Sequence, residues 1–421
     1  MTDILDELRW RGLVALLTDE AALREAFAAG PVTYYCGFDP TAPSLHIGNL
    51  VQIITLRRIQ AAGNRPLALV GGATGLIGDP KPTAERVLND VDVVAGWVRR
   101  IRAQIEPFLD FEGSFAARMV NNLDWTAELP AIEFLREIGK HFRVNRMLAK
   151  EAVGARLESE AGISYTEFSY QILQGMDFLE LYRRYGCTLQ TGGSDQWGNL
   201  TAGVDLIHRV EAVSAHLIAT PLITKADGSK FGKTEAGTVW LDPQMTTPYA
   251  FYQFWINAED AKVGDYLRVF TFRDRGEIEA LEQATRSRPA AREAQRALAS
   301  DVTTLVHGPQ AAERVARASA ALFGGGDLDA IDPETLRDAL AELPTARLPR
   351  HRQPVADLLV ATGLAPSRSA ARRTLAEGGG YVNNAKVAGE DATVEVGDLL
   401  HGRWLVLRRG RRSLAAVELQ D

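Results

Sequence analysis

Cysteine is scarce in this 421-residue sequence, which holds only Cys36 and Cys187 and no CxxC pair. A disulfide framework and a cysteine-rich zinc site are therefore disfavoured, and no His/Glu spacing indicates another tightly bound metal. No apolar stretch is long enough to span a bilayer, and residues 1–11 are charged and lack the apolar core of a signal peptide. We therefore expect a cytoplasmic protein with no membrane partner.

Standard motifs for phosphate loops and covalent catalysis are also missing. The glycine-rich stretch GGATGLIGDP, residues 71–80, matches neither GxxxxGK[ST] nor GxGxxG. No GxSxG or Cys/His pairing suggests a nucleophile, so covalent catalysis is disfavoured. The formal net charge of −7 gives no global sign of nucleic-acid binding, although a local basic face could be hidden within it.

What is present is the composition and periodicity of a multi-domain α/β protein. Hydrophobic residues make up 46% of the chain and charged residues 24%, which is typical of a globular protein of two or three domains. Buried-strand patterns at 66–70 and 117–120 alternate with helical patterns at 47–62, 91–111 and 131–149. This alternation predicts right-handed βαβ units and a mostly parallel sheet.

The pattern becomes almost wholly helical near residue 241, with long helical stretches such as 286–298. A glycine run at 324–326 and scattered prolines then predict a linker that carries a short helix. The last stretch combines two short helices with β-like segments. The predicted divisions are an α/β domain at 1–240, a helical domain at 241–325, a linker at 326–350 and a small α+β module at 351–421.

The stretch YYCGFDPTAPSLHIGN, residues 34–49, places polar residues at a strand-to-helix corner. In open α/β sheets, ligands lie beyond the carboxyl ends of the strands, where helix N-termini offer unpaired N–H groups to a phosphate. His46 at the helix start could donate to a nucleotide phosphate, and Gly48 would let the nucleotide approach the backbone. A capping histidine without a ligand is an equally good interpretation of this stretch alone.

Two further groups of polar residues suit a small substrate. YTEFSYQILQGMDF, residues 165–178, places Tyr170, Gln174 and Asp177 on one helix face, which is either solvated or the lining of a polar pocket. Asp79 ends the glycine-rich stretch, where its carboxylate would suit an ammonium group or would simply form a turn.

Two loops complete the set of candidate segments. LQTGGSDQWGN, residues 189–199, could hydrogen-bond a ribose and a carboxylate or could be an ordinary Asx turn. KADGSKFGKT, residues 225–234, sets three lysines in a glycine-punctuated loop that could gather on a polyphosphate. A solvated basic loop is the usual outcome for such a run.

Together and in this order, these stretches resemble the bacterial-type tyrosyl-tRNA synthetases, which are class I aminoacyl-tRNA synthetases. HIGN at 46–49 is similar to the class signature HIGH, and KFGKT at 230–234 is similar to the second signature KMSKS. YCGFDPTA, GGATGLIGDP, TEFSYQILQGMDF and GGSDQWGN are more specific to the tyrosine enzymes. The stretch from Arg352 to Val387 is similar to a small RNA-binding module shared with a ribosomal protein, so the resemblance covers essentially the whole chain.

The resemblance implies a Rossmann-like catalytic domain with a parallel sheet, a helical tRNA-binding domain and an α+β RNA-binding module. It implies ligation of L-tyrosine to tRNA(Tyr) through tyrosyl-adenylate, with ATP as a substrate accompanied by Mg²⁺. The implied functional unit is a homodimer, with the predicted helix at 134–149 as a candidate interface.

The resemblance also assigns site residues. Those implied to bind tyrosine are Tyr35, Asp79, Tyr170, Gln174, Asp177, Gln190 and Gln196. Those implied to bind ATP are Cys36, Gly37, Asp39, His46, Gly48, Asn49, Gly193, Asp195 and Lys233. Those implied to act on the phosphates during catalysis are Thr41, His46, Lys230, Lys233 and Thr234. Asn49 stands where the signature has its second histidine, and its amide can donate to a ribose but cannot carry a positive charge.

Residues 352–421 hold ten lysines and arginines against eight acidic residues, a net charge of +2, which leaves −9 for the rest of the chain. Phosphate contact is expected from two arginine clusters, although a solvated face is the alternative. The clusters are Arg368, Arg372 and Arg373, and Arg408, Arg409, Arg411 and Arg412.

Three rival functions remain. A tryptophan-specific synthetase is disfavoured because Tyr35 and Asp177 together favour a phenol. A nucleotidyltransferase without tRNA would leave the RNA-binding tail unexplained. A catalytically inactive relative that binds RNA is the alternative that Asn49 keeps open.

Overall fold

The computed structural model describes residues 3–80, 87–148, 151–158, 160, 162–229, 231–234, 237–410 and 413–420. The chain divides into two compact units. The first is Met1–Asp242 with Glu259–Gln283, and the second is Pro243–Ala258 with Ala284–Asp421. No helix within the described ranges is long and apolar enough to cross a membrane.

The strands are numbered in chain order. They are β1 (Leu16–Leu17), β2 (Thr33–Phe38), β3 (Arg65–Val70), β4 (Arg118–Asn121), β5 (Cys187–Gly193), β6 (His216–Thr220), β7 (Lys233–Thr234), β8 (Gly237–Thr238), β9 (Thr345–Pro349), β10 (Gln353–Pro354), β11 (Gly380–Val382), β12 (Ala385–Lys386), β13 (Thr393–Val394), β14 (Trp404–Arg409) and β15 (Ser413–Gln420).

The α-helices are numbered in the same way. They are α1 (Ile4–Trp10), α2 (Glu20–Ala29), α3 (Ile47–Ala61), α4 (Thr74–Ile77), α5 (Val91–Ile105), α6 (Leu123–Thr126), α7 (Ala131–Glu133), α8 (Val144–Leu148), α9 (Glu151–Leu157), α10 (Tyr165–Tyr185), α11 (Trp197–Glu211), α12 (Pro248–Ile256), α13 (Val263–Phe270), α14 (Arg275–Ser287), α15 (Glu293–His307), α16 (Pro309–Gly324), α17 (Pro333–Ala341), α18 (Val355–Ala361) and α19 (Arg368–Ala376).

The first unit is built on a sheet with the strand order β1-β6-β5-β2-β3-β4. Its neighbouring strands are parallel except for β1, which is antiparallel to β6. Strands buried on both faces read as continuous apolar runs, which is how β3 could be predicted. The predicted α/β class with a parallel sheet is confirmed. The order reverses direction beside β2, so the carboxyl ends of β2 and β5 form the switch point at which such sheets bind ligands.

The helix α10 brings a polar stripe to the sheet. It begins at the N-cap Ser164, whose hydroxyl accepts from the Glu167 N–H, and it ends at Gly186 in a left-handed conformation with φ 65°. One face packs on the strands through Phe178 and Leu179, which are fully buried in a cluster shared with Tyr35. The polar stripe predicted on this helix is therefore drawn into the interior.

Two predicted helices are broken. The run at 131–149 consists of α7, a π-type turn at Phe134–Ile138, a 3₁₀ turn at Gly139–His141 and α8. Phe142 packs so closely on α10 that a Cβ on Gly175 would stand 2.9 Å from its ring, and this tertiary contact overrides local propensity. The stretch at 286–298 is broken because Pro289 cannot continue α14, and α15 begins only at Glu293.

The structure also divides the chain differently from the predicted boundary at 240/241, because residues 259–283 belong to the first unit. Arg11, which is 4% exposed, donates to the carbonyls of Arg268 at 3.0 Å and Thr271 at 3.1 Å. These bonds close the end of α13 within the first unit. A predominantly helical sequence pattern carries no information about which core a helix joins.

The second unit contains helices, among them α12, α15 and α16, and a C-terminal sheet in the order β12-β11-β14-β15-β9. β9 lies in the stretch predicted as a linker, and it pairs in parallel with β15, with Ala416 opposite Thr345. Its residues alternate between exposed and half-buried. The segment 326–350 therefore contains α17 and β9. The strand that pairs with β9 is β15, about seventy residues further along the chain.

Candidate active site

A cavity of about 740 Å³ opens at the carboxyl ends of β2 and β5 within the first unit. It collects the predicted site residues whose side chains the structure describes, together with the predicted glycines. These are Tyr35, Cys36, Gly37, Asp39, Thr41, His46, Gly48, Asn49, Asp79, Tyr170, Gln174, Asp177, Gln190, Gly193, Asp195 and Gln196. Lys230 lies outside the described residues, and so do the side chains of Lys233 and Thr234, whose backbone forms β7.

Asp177 lies deep in this cavity and is 3% exposed. Its carboxylate accepts from Asn122 Nδ2 and from Trp125 Nε1, both at 2.9 Å. Burial raises the pKa of Asp177 to about 7, while the two hydrogen bonds oppose that shift by favouring the charged form. The carboxylate is thus close to its ionisation midpoint near neutral pH, and a further donor would favour its charged form.

Three buried polar atoms in the cavity have no hydrogen-bond partner among the described residues. They are the Tyr35 hydroxyl, Gln174 Oε1 and Gln190 Oε1. The Tyr35 ring packs on Phe178 with centroids 5.1 Å apart, and burial followed by the Asp177 charge raises the pKa of its hydroxyl well above the usual value. Buried polar groups are nearly always paired, so this set is suited to a polar ligand.

Two further carboxylates line the wall of the cavity, above the floor that Tyr35 and Asp177 form. Asp79 accepts from Gln196 Nε2 at 3.2 Å and from Asn199 Nδ2 at 3.1 Å. Asp39, predicted to contact ATP, accepts from the Tyr170 hydroxyl at 2.7 Å, which places it on the Tyr170 side of the cavity. Two acidic groups held by neutral donors can receive a cationic group such as an ammonium.

Asn122, Trp125 and Thr74 were missed by sequence reasoning, although they connect the two carboxylate regions. Asn122 Nδ2 donates to Thr74 Oγ1 at 2.9 Å as well as to Asp177, and the Thr74 hydroxyl donates to Asp39 at 2.6 Å. The signal that could have found them is position, because the pair Asn121–Asn122 follows a predicted strand at the same edge of the sheet.

His46 forms the N-cap of α3 at the other end of the cavity, with φ −121° and ψ 173°. Its Nδ1 accepts from the Gly48 N–H at 3.0 Å. An accepting Nδ1 places the proton of a neutral ring on Nε2. The histidine is therefore both a cap and a donor beside a helix N-terminus, so the two interpretations of this stretch do not compete.

Gly48 and Asn49 hold the imidazole in this orientation. A Cβ on Gly48 would stand 2.8 Å from His46 Cε1, closer than such atoms approach. Asn49 Oδ1 accepts from the His46 backbone N–H at 3.1 Å, which completes a capping box. Asn49 thus has a structural function at this corner, and its amide nitrogen remains the donor face of the side chain.

The two signature segments touch each other. Gly232 adopts φ 84°, and a Cβ there would stand 2.7 Å from Ile47 Cγ1. The Val239 N–H donates to the Gly232 carbonyl at 3.0 Å, and the Ile47 N–H donates to the Val239 carbonyl at 3.2 Å. The loop that carries KFGKT is therefore held against the first turn of α3.

The remaining wall includes a buried thiol, a glycine beside the Asp195 carboxylate, and a pair of neutral polar side chains. Burial raises the pKa of Cys36 to about 12, so its thiol is neutral. A Cβ on Gly193 would stand 2.4 Å from Asp195 Oδ1, so glycine is required beside that carboxylate. Gln52 donates to Thr220 Oγ1 at 2.6 Å. These contacts leave a narrow polar wall next to the His46 corner.

Family models match most of the chain. The model described as tRNA synthetases class I (W and Y) matches residues 28–324, and a tyrosine–tRNA ligase C-terminal domain model matches residues 335–417. A tyrosine–tRNA ligase from Streptomyces avermitilis is 70% identical over 420 residues, covering 100% of this chain and 99% of that protein. The chain belongs to the tyrosine–tRNA ligase family.

Other tyrosine–tRNA ligases agree. The enzyme from Streptomyces coelicolor is 68% identical over 100% of this chain and 99% of its own length. A C-terminally truncated mitochondrial tyrosyl-tRNA synthetase from Coccidioides posadasii superposes with a TM-score of 0.67 at 32% identity, covering 75% of this chain and 92% of that one. The predicted family, synthetase fold and ligase function are confirmed, and the inactive alternative is not supported.

Proposed function

We propose that this tyrosine–tRNA ligase carries out both steps of its reaction with the cavity residues described above. It joins L-tyrosine to ATP, giving tyrosyl-adenylate and pyrophosphate, and then transfers tyrosine to the terminal adenosine of tRNA(Tyr). One observation supports this best. The buried Tyr35 hydroxyl has no partner among the described residues, and the charge of the nearby Asp177 helps to raise its pKa. A phenol donates and accepts, so it would satisfy both groups.

The rest of the substrate tyrosine would extend from this floor towards the mouth of the cavity. Asp79, Tyr170 and Gln174 would surround its ammonium group, which is the group that their charges and acceptors favour. Gln190 and Gln196 would lie near its carboxylate. Discrimination against phenylalanine follows, because phenylalanine would leave the Tyr35 hydroxyl buried without a partner and would give the buried Asp177 no further donor.

ATP would occupy the part of the cavity beside α3. Cys36, Gly193 and Asp195 would contact its ribose, and His46 with Thr41 would hold its phosphates at the helix N-terminus. The flanking positions Gly37, Gly48 and Asn49 would shape this side, and Asp39 would contact ATP only where the nucleotide meets the tyrosine substrate, since it lies on the Tyr170 side. Lys230, Lys233 and Thr234 would close over the phosphates, and Mg²⁺ would arrive with ATP.

The chemistry of activation requires alignment more than proton transfer. The tyrosine carboxylate is already ionised at neutral pH, so it can attack the α-phosphorus without a general base while pyrophosphate leaves. Charge develops on the phosphate oxygens, and His46 with the loop lysines would stabilise it. A terminal adenosine hydroxyl then attacks the acyl carbon, and AMP leaves.

The second unit would bind the tRNA. The helical part, predicted at 241–325, and the module at 351–421 would contact it, with the arginines of α19 on phosphates. A homodimer is supported by exposed apolar side chains along 131–148, since Ile132 is 75% and Val144 59% exposed. The reaction would take place in the cytoplasm, where tRNA is charged for translation.

Exchange of labelled pyrophosphate into ATP tests the activation step without tRNA. We expect exchange with tyrosine, and with neither phenylalanine nor tryptophan at the same concentration. A folded protein supplied with Mg²⁺ that shows no exchange with any of the three amino acids would refute the proposed activation. Charging of tRNA(Tyr) with labelled tyrosine then tests the transfer step.

A further inference from the structure

The loop that carries KFGKT rests on an aromatic cluster that the roles proposed above do not use. The Phe231 ring lies with its centroid 4.5 Å from that of Tyr266 and 5.7 Å from that of Phe270. Tyr266 and Phe270 are 4% and 0% exposed, and both belong to α13. Aromatic pairs at these separations attract each other beyond the burial of their area.

The same helix also holds the beginning of the loop. The Tyr266 hydroxyl donates to the Thr224 carbonyl at 3.0 Å, and the Phe231 N–H donates to the Ile223 carbonyl at 3.3 Å. One side chain of α13 therefore contacts both ends of the segment 224–231. The conformation of this segment decides where the chain that follows it, with Gly232 and Lys233, is placed.

α13 is itself tied to the helix that begins at His46. Arg58, on the last turn of α3, is 6% exposed and donates to the Thr271 carbonyl just beyond α13. The guanidinium Cζ of Arg58 lies 4.4 Å from the centroid of the Phe272 ring. The histidine corner and the KFGKT loop therefore share one support, which fixes the distance between them.

We propose that Tyr266 is a positioning residue that fixes the KFGKT loop over the nucleotide side of the cavity. Its ring holds Phe231, and its hydroxyl holds the backbone at Thr224. The catalytic consequence rests on the proposed function, because it concerns the lysines that would contact ATP. The anchoring itself rests only on the contacts above.

Limited trypsin digestion tests the anchoring without any substrate. Cleavage within the loop should be faster in Tyr266→Ala by roughly 2- to 10-fold, the range that an aromatic pair supports, and only slightly faster in Tyr266→Phe. Val269→Ala is the matched control, since Val269 is buried on the same helix and does not belong to the aromatic cluster. Equal loop cleavage in Tyr266→Ala and Val269→Ala would overturn the proposal.

Pyrophosphate exchange tests the consequence. Tyr266→Ala should lower kcat several-fold with the KM for tyrosine unchanged, and Tyr266→Phe should restore most of kcat. A rise in the KM for tyrosine with kcat unchanged would contradict a role in loop placement. If the wild-type protein shows no exchange, the proposed function fails, whereas the digestion experiment still decides whether Tyr266 anchors the loop.

An independent observation concerns the turn between β11 and β12 in the second unit. Asn383 and Asn384 have φ 45° and 64°, the conformation of a two-residue hairpin turn that glycine favours. The Asn384 amide donates to the carbonyls of Ala321 at 2.9 Å and Gly326 at 2.8 Å. The first carbonyl lies in the last turn of α16, and the second belongs to the glycine run that follows this helix, where the sequence predicted the start of a linker.

From these bonds we infer that the C-terminal module is docked on the end of α16, so that both present one surface to tRNA. His401 provides a second tie, because its Nε2 lies 2.8 Å from the Ile331 carbonyl. Asn384→Gly is the sharpest test, since glycine keeps the turn and removes only the side-chain bonds. It should raise the KM for tRNA a few-fold and leave pyrophosphate exchange unchanged.

Hydrogen exchange supplies a readout for the docking that does not depend on activity. Amides at 321–331 should exchange faster in Asn384→Gly than in the wild-type protein. Unchanged exchange there would overturn the docking. Faster exchange with an unchanged KM for tRNA would overturn the shared surface.

Discussion

At the scale of single residues, the proposed recognition of the substrate depends on Asp177. Its carboxylate is buried, is supported by Asn122 and Trp125, and has a pKa near neutrality. A phenol hydroxyl that donates to it would favour the charged form, whereas the ring edge of phenylalanine would not. Selectivity should therefore depend on the ionisation of this one group.

The pH dependence of selectivity follows from the raised pKa of Asp177. As pH falls through about 7, the carboxylate gains a proton and loses the negative charge that strengthens its hydrogen bond from the phenol. We expect kcat/KM for tyrosine in pyrophosphate exchange to fall in that range while the value for phenylalanine changes little. A tyrosine-to-phenylalanine ratio that stays flat between about pH 6 and about pH 8 would contradict this role.

Gly48 provides a second prediction at a single position. In Gly48→Ala the new Cβ would stand 2.8 Å from His46 Cε1, so the imidazole must turn away. Alanine within a helix is otherwise favoured over glycine by about 0.5 to 1 kcal/mol. Exchange should therefore show a kcat lowered about 100-fold or more, as for other lost donors, with little change in Tm, because the lost His46 cap offsets the gain from alanine. A lowered Tm with normal kcat would show that Gly48 serves folding alone.

At the scale of elements, the HIGN and KFGKT segments contact each other, because the KFGKT loop packs on the first turn of α3. Gly232 and Gly228 separate the effect of this contact from the cost of the backbone conformation. Both have positive φ, 84° and 79°, but only a Cβ on Gly232 meets another atom, Ile47 Cγ1 at 2.7 Å. The two alanine variants thus have similar backbone strain, but only the new methyl group at position 232 meets another side chain.

We expect Gly232→Ala to lower kcat of pyrophosphate exchange much more than Gly228→Ala does. Both variants cost about 1 to 2 kcal/mol in the left-handed conformation, so their effects on Tm should be similar. Steady-state exchange and thermal unfolding of the two proteins provide the comparison. Equal kcat values would contradict a close contact between the signatures.

Elements also show where the sequence was informative. The strand β3 could be predicted from a continuous apolar run, and the polar stripe on α10 from its spacing. The run predicted as one helix at 131–149 is broken into short segments. Phe142 of this run packs against Gly175, about thirty residues further along the chain, and this contact overrides local propensity. β9 was hidden in the predicted linker because its partner β15 comes from the other end of the module.

The predicted site residues could be selected from family-specific stretches, and the described ones line one cavity, while their roles stay predictions. Asn122 and Trp125 escaped because an asparagine pair followed by a tryptophan has no distinctive spacing. Only the fold brings them within 2.9 Å of Asp177. The capping function of Asn49 was also missed. Its side-chain oxygen accepts from the His46 backbone N–H, and a comparison of signature letters does not show such a bond.

At the scale of the whole molecule, tyrosine activation and tRNA binding should separate between the two units. Arg372 and Arg373 are exposed on α19 in the second unit. Arg372→Glu with Arg373→Glu should raise the KM for tRNA and lower the salt dependence of binding by about one unit of slope per lost phosphate contact. Pyrophosphate exchange should remain unchanged.

Arg99→Glu with Arg100→Glu is the matched control for this double charge reversal, since both arginines are exposed on α5 in the first unit. The pair makes the same change in net charge without touching the module. An equal rise in the KM for tRNA in both proteins would indicate a general electrostatic effect and would contradict phosphate contact by α19.

The central claim is that the floor of the cavity reads the phenol hydroxyl of tyrosine. The most direct measurement is kcat/KM for tyrosine and for phenylalanine in pyrophosphate exchange, in the wild-type protein and in Tyr35→Phe. The variant keeps the ring on Phe178 and removes only a hydroxyl that has no partner among the described residues. We predict that it loses about tenfold in the tyrosine-to-phenylalanine ratio, the worth of one hydrogen bond. An unchanged ratio would contradict the account.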